Sequence, residues 1–309
     1  MPTTQIPIYP DQPVRLSPNF GMLVREDVAF TNRKGVEKRG IRKRAEQALD
    51  KLQEPLRKIL EPDEAVLYIA RATLLPGLFE QFFLGWYVAY LAPATLVLTN
   101  RRLLHLSVTR NGSWNRGVRS ARWGDLETAR IKAILSPKLH IKYRNGKKEV
   151  YWRLRGDDGR KIRLLLEILL PGAASGTSPA LSMTSLCPGC LAALTPGVYE
   201  CPSCRLKFKD EKTLLRRSIL IPGGGFFYTG HSLLGTLHFL VDLILVLEVL
   251  LWGGAAMGLW LLRAGPGQAH LNRGAALATA AILAVLLALH KAAVTRITRN
   301  LVRGFIPVS

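Results

Sequence analysis

The chain has 309 residues, 48% of them hydrophobic, and a formal net charge of +21 from 43 Lys and Arg against 22 Asp and Glu. That combination argues against one ordinary soluble domain, because so basic a surface and so much apolar side chain do not fit a single small core. The two properties are segregated: 18 basic residues face 5 acidic ones over 101–163, whereas the last 79 residues hold only Asp242 and Glu248 among long apolar runs. The opening MPTTQIPIYPDQPV has no basic stretch followed by an apolar one, so a cleaved secretory signal is not expected and the bulk of the chain is expected in the cytoplasm.

In chain order, residues 1–32 read as an irregular N-terminal segment and 33–60 as a basic amphipathic helix. Ile41, Ala45, Ala48, Leu52, Leu56 and Ile59 recur at three and four residues along it, and Pro55 is expected to kink it. Its Arg33, Lys34, Lys38, Arg39, Arg42, Lys43 and Arg44 form either a solvated face or a contact with an anionic partner.

From 61 to 170 the pattern becomes short alternating runs divided by turn residues, which predicts a small antiparallel β domain. Strands are expected near 65–72, 94–99, 102–109, 118–123, 127–134, 138–144 and 147–153, with turns at Asn100-Arg101 and, as a type I′ hairpin, at Asn145-Gly146. A helix over 157–170 follows, with Ile162, Leu165, Leu166 and Leu169 on one face. The run ATLVLTNRRLLHL, with the later hairpin and closing helix, resembles the bacterial pleckstrin-homology-like (PH-like) domains over about residues 60–170. The resemblance implies a small β-barrel with a C-terminal helix that docks to membranes or peptides and carries no catalytic residues. In this chain the loop Leu74 to Pro93 has no Lys or Arg and a single Glu80, so recognition of a phosphoinositide headgroup through that loop is not expected. The same loop is apolar and aromatic, and Phe82, Phe83 and Trp86 are candidate membrane-interface residues. Gln81 to Leu98 is uncharged, leaving three readings open: a third span, a loop dipping into the interface, or core.

Residues 171–186 read as a flexible linker rich in Gly, Ala, Ser and Pro. All four cysteines then fall in 187–209, as Cys187-Pro188-Gly189-Cys190 and Cys201-Pro202-Ser203-Cys204. Two tight C-P-x-C turns facing each other complete a tetrahedral thiolate set, with Pro196-Gly197 as the turn between them. Four protein thiolates leave no position for water, so one structural Zn²⁺ per chain is expected. A pair of thioredoxin-type redox motifs would need each C-x-x-C to open a helix, and VYECPSCRLKF does not read that way. The segment resembles the short zinc ribbons, a family that includes nucleic-acid binders and protein-contact modules.

Residues 210–235 form a basic connector and a Gly-rich turn. GFFYTGHS, Gly225 to Ser232, echoes a phosphate loop but has His231 where a Lys must reach phosphates. The stretch 219–295 resembles small bacterial membrane modules in which a Pro/Gly-rich turn and a Y-x-G step precede two transmembrane helices. Spans are expected at Thr236 to Leu262 and Ala275 to Leu289 within a hairpin covering 236–295, followed by a basic tail at 296–309. Lys207, Lys209, Lys212, Arg216 and Arg217 before the pair and Lys291, Arg296, Arg299 and Arg303 after it place both termini in the cytoplasm, as a multi-pass protein of the inner membrane. Ala276, Ala280, Ala284 and Ala288 in the second span, with Gly254 and Gly258 in the first, are expected to allow close packing. Asp242 and Glu248 are the intramembrane polar candidates, with His238 one turn before Asp242 and able to pair with it.

The composite expectation is a multidomain α+β membrane protein without catalysis: a tethered docking or scaffold protein that binds a protein partner or an anionic lipid leaflet, with homo-oligomerisation open. Six scattered His and no nucleophile motif point away from an enzyme. The alternative is a membrane-associated nucleic-acid-binding protein, suggested by the charge and the ribbon. A transporter or channel subunit rests on Asp242 and Glu248 alone.

Overall fold

The structure is a computed structural model that describes residues 8, 9, 13–85, 87, 91–133, 136–171, 181–258 and 273–308. The chain divides into two compact units, Met1–Leu206 and Lys207–Ser309. The four-cysteine segment therefore belongs with the β domain, and residues 207–209 belong with the apolar helices.

The first unit is α+β. Its elements begin with β1 (Leu16–Ser17), β2 (Leu23–Arg25), α1 (Glu26–Ala29), α2 (Arg39–Lys51), α3 (Gln53–Ile59) and β3 (Ala65–Leu74). A short α4 (Leu78–Leu84) precedes β4 (Pro93–Thr99), β5 (Arg102–Val108), β6 (Trp114–Arg122), β7 (Leu126–Ala133), β8 (Pro137–Tyr143), β9 (Lys148–Trp152), α5 (Gly156–Leu169) and β10 (Thr184–Leu186). Among the described residues ten strands form one sheet, with the path β10-β6-β5-β4-β3-β9-β8-β7 and β1 and β2 attached beside β3. All pairs are antiparallel except β2 with β3. The seven expected strands are present within a few residues of the expected bounds.

The sheet is bent strongly on itself. Arg119 of β6 is ion-paired to Glu149 of β9, four strand positions away along the path, and His105 Nδ1 of β5 lies 2.9 Å from Tyr151 Oη of β9. In a flat sheet four steps span about 19 Å, beyond the reach of an Arg side chain. Inside the bend Leu67, Leu96, Leu98, Leu103, Ile141 and Tyr143 pack with Ile162, Leu165 and Leu169 of α5. The other face of β3 to β6 is covered by Ala45, Leu49, Leu52, Leu56 and Ile59 of α2 and α3. Burial on both faces explains why β3 and β4 read as continuous apolar runs while β8, Leu139, Ile141 and Tyr143 inward between Lys138, His140 and Lys142, alternates.

Several local expectations need correction. The basic helix is two helices, α2 beginning at Arg39 and breaking at Leu52, because the Pro55 ring cannot sit beneath the carbonyl four residues earlier. The segment before it is a tight loop in which Asn32 Oδ1 accepts from the N–H of Lys34 (2.8 Å) and Val36 (3.2 Å), with Gly35 at φ +77°. The segment 1–32 is not irregular throughout: β2 pairs with β3, and the Arg25–Asp27 ion pair, 2.7 Å long, is buried beside it. The turn at Asn145-Gly146 is not type I′. Only Gly146 has positive φ (+82°), and Tyr143 N–H donates to Lys147 O, which makes a three-residue loop ending in a glycine bulge. The expected linker 171–186 ends in β10, paired with β6; residues 172–180 lie outside the described residues.

The Glu149 cluster gives a pH prediction. Burial, together with Arg119, pushes His105 from 6.5 down to about 3, with Glu149 opposing. A lowered folded-state value means the unfolded chain binds the extra proton first, so stability is complete above pH 6.5 and falls as the pH drops toward 3. Against the effect of burial, Arg119 holds Glu149 below its ordinary 4.5, so that carboxylate adds its own loss only in more acid solution. Thermal unfolding of the first unit should therefore lose about 2–3 kcal/mol between pH 6.5 and 4.5, and the slope should flatten in His105→Gln. An unchanged slope in that variant would assign the loss to other groups.

The second unit contains α6 (Glu211–Leu220), α7 (Gly224–Thr229), α8 (Ser232–Ala256) and α9 (Arg273–Val302). Helices α8 and α9 are long and apolar enough to cross a membrane. The expected stretch between the spans lies outside the described residues over 259–272. Helix α4, at seven residues or about 10 Å, is far too short to be a third span, and the window ends in β4, with residues 86 and 88–90 outside the described residues.

Candidate functional site

The cysteines come together as the spacing predicts. Their Sγ atoms all lie within 4.8 Å of one another, with Cys187–Cys204 at 3.5 Å and Cys190–Cys201 at 3.4 Å. Four sulfurs at 2.3 Å from a tetrahedral Zn²⁺ would be about 3.8 Å apart, so the donor set fits such an ion. The two knuckles repeat one geometry. Cys187 N–H donates to Ala192 O and Leu191 N–H to Cys187 O; Cys201 N–H donates to Leu206 O and Arg205 N–H to Cys201 O. Leu191 and Arg205 take the same left-handed φ, +63° and +58°. Backbone N–H groups of Cys204 and Ser203 aimed at Cys201 pull its thiol down to about 6, whereas burial pushes Cys187 up to about 12. Pro196-Gly197 forms the intervening turn, with Val198 N–H on Thr195 O and Gly197 at φ +86°. Strand β10 runs directly into Cys187, and Leu186 bridges Ala193, so the knuckles are fixed to the sheet edge.

The aromatic loop places its candidates differently from one another. Phe82 is 92% exposed and Leu78 84%, Phe83 is half-buried and stacks on Phe79 with ring centroids 6.1 Å apart, and Trp86 lies outside the described residues. Leu84 and Glu80 are buried and hold α4 down, the Glu80 carboxylate folding back over Gly77. Leu78 was not singled out from sequence, although it lies four residues before Phe82 on the same helical face.

In the second unit the polar candidates separate. The Asp242 side chain, 2% exposed, accepts from Gly223 N–H at 2.8 Å and pairs with Lys291 Nζ at 2.8 Å, and its other oxygen lies 3.5 Å from His290 Nε2. His238 Nδ1 lies 3.2 Å from His290 Nε2 and its ring stacks on Phe226, so His290 stands as the shared neighbour of His238 and Asp242. Glu248 instead accepts from Trp252 Nε1 at 3.1 Å. The Gly-rich turn is built for this packing: Gly223 has φ +63°, and a Cβ there would stand 2.2 Å from Gly235 O. Its predecessor α6 is a helix rather than the strand a phosphate loop requires. The alanine row needs correction, since Ala276 and Ala280 are buried while Ala284 and Ala288 are exposed. Every fourth residue drifts about 40° around the helix, so the buried stripe passes instead to the half-buried Leu283 and Leu287 and then to buried Val294 and Ile297.

Many of the basic residues are already engaged. Arg101 pairs with Glu61 and Asp63, and Arg102 with Glu64 at 2.6 Å, so the LTNRRLL turn pins β4 and β5 to the start of β3. Arg42 bridges Glu37 and Glu46. Lys161 is buried: its ammonium donates to Tyr9 Oη, to Thr31 Oγ1 at 3.0 Å and to Asn32 O at 3.1 Å, and burial pushes it down to about 7 against the pull of Asp27. Sequence reasoning missed this lysine, although it lies on the face of α5 that carries Asp158, Ile162 and Leu165 inward.

No protein-family model matches the chain, and no curated protein matches it. Among solved structures, the C-terminal domain of an unknown protein from Leishmania infantum is similar over 40% of this chain and 94% of that chain, at 12% identity and a TM-score of 0.25, too low to carry any argument.

Proposed function

We propose that this chain is a non-catalytic, membrane-tethered docking protein: a PH-like β domain and a zinc ribbon on the cytoplasmic side of a two-helix anchor, with both termini in the cytoplasm. The observation that carries the reading is α4, which holds Phe82 and Leu78 almost wholly exposed on an otherwise well-packed domain. Two large apolar side chains exposed together on one helical face form a patch, and an interfacial helix inserts such a face into the headgroup boundary. The PH-like reading is supported by the strand order β6-β5-β4-β3-β9-β8-β7 with α5 closing it, and the zinc reading by the sulfur separations and the paired knuckles. The anchor reading is supported by apolar residues exposed along both long helices, among them Ile244, Leu250, Leu277 and Ile282.

The test is vesicle flotation of residues 1–206, prepared with metal. The expected result is a salt-sensitive component on anionic vesicles and a salt-resistant remainder, the latter falling about tenfold or more in Leu78→Ser/Phe82→Ser because each buried apolar side chain contributes about 1.5–3 kcal/mol. Unchanged salt-resistant binding in that variant would remove α4 as the contact.

A further inference from the structure

A cleft of about 480 Å³ is lined by Asn32, Arg33, Lys34 and Lys38 on one side and by Asp157 and Arg160 of α5 on the other. Among the described residues Arg33, Lys34 and Lys38 make no ion pair, while Arg160 is held by Asp157 at 2.5 Å. The cleft thus carries four cationic groups against one carboxylate. The backbone that carries these side chains is fixed. The Asn32 side chain closes the loop on itself, Thr31 bridges Glu37, and the buried Lys161 ammonium ties Thr31 and Asn32 to α5. The first turn of α5, with Asp157 and Arg160 at the cleft, has no side-chain cap on its N-terminal N–H groups.

We propose that this cleft is a binding site for a phosphate monoester dianion, taken either from a soluble compound or from a lipid headgroup. Two guanidinium forks and two ammonium groups suit an oxyanion with several acceptor oxygens and more than one negative charge, and every side chain that lines the cleft is polar or charged. The half-exposed Arg160 guanidinium bonds Asp157 through one nitrogen and has further N–H donors to offer such an ion. The inference goes beyond the docking reading and does not use α4, so either can fail alone.

The experiment uses the full chain in detergent and in lipid nanodiscs, with inorganic phosphate as the soluble probe, followed by calorimetry. Saturable binding is expected, weakened about tenfold or more by Arg33→Gln/Lys34→Gln/Lys38→Gln, since each charge-assisted hydrogen bond lost contributes more than a neutral one. Lys132→Gln/Lys138→Gln/Lys148→Gln, which removes the same charge from exposed positions of the β domain, should leave it within about twofold. Thermal unfolding of both variants controls for folding. Phosphatidic acid placed in neutral phosphatidylcholine nanodiscs will compete with phosphate if the natural ligand is a headgroup and will not if it is soluble. Equal weakening by the two triple substitutions, or no saturable binding, would overturn the site.

Discussion

Cys201→Ser is expected to leave the purified chain without its metal ion and to unfold the segment from Leu186 to Leu206. The same holds for Ser at Cys187, Cys190 or Cys204, because the sulfurs form one closed set in which no fifth donor stands in reserve among the described residues. Metal affinity at such sites is folding free energy, on the order of 10–16 kcal/mol at neutral pH, and few apolar contacts replace it in a segment this short. Elemental analysis of anaerobically prepared protein should return one zinc per chain for the native sequence and none for the variants. Hydrogen exchange should quicken at Val118 to Ser120 as well, since β10 pairs there and leads directly into the first knuckle. Native protein that arrives metal-free, with its cysteines in disulfides, would end the zinc assignment.

The second large effect is expected at Asp242. Asp242→Ala leaves the Gly223 N–H without its acceptor and leaves the partly exposed Lys291 ammonium with Ile221 O at 3.3 Å in place of a carboxylate. Breaking a buried pair by removing one partner destabilises by about 3–5 kcal/mol, most of it from the charge left behind. Thermal unfolding of the detergent-solubilised chain should show that loss, and adding Lys291→Met should recover much of it. Asp242→Asn, which keeps an acceptor for Gly223, should fall between. If Asp242→Ala melts like the native protein, the carboxylate is not what holds the Gly-rich turn against α8 and α9.

What was legible in the sequence was whatever declares itself within a few residues. The β8 alternation, the C-P-x-C spacing and the length of the apolar runs each need only a short window, and each has its counterpart in the structure. Partners from distant parts of the chain were not legible. Nothing near Asp242 points to Lys291 or Gly223, nothing near Arg119 points to Glu149, and a helical pattern that places Lys161 inward does not say that Thr31 and Tyr9 receive it. The strands β1, β2 and β10 are two or three residues long, too short for a period of two to register. The exposed tip of α4 was half legible: composition marked the loop as apolar, but only the helical turn puts Leu78 and Phe82 on one face.

The Lys161 tie also sets an order of assembly. Its partners Tyr9 and Thr31 precede it by 152 and 130 positions. A ribosome adding about 5–20 residues each second takes roughly 7–30 s to cover that distance, far longer than a hairpin needs to form. The β3 to β9 hairpins can therefore pair as they emerge, whereas the contacts of Tyr9 and Thr31 to Lys161 wait for α5. Until then Tyr9 and Val28, buried in the core that Ile162, Leu165 and Leu169 of α5 complete, have no full cover. Closure of so long a loop places this contact among the last to form.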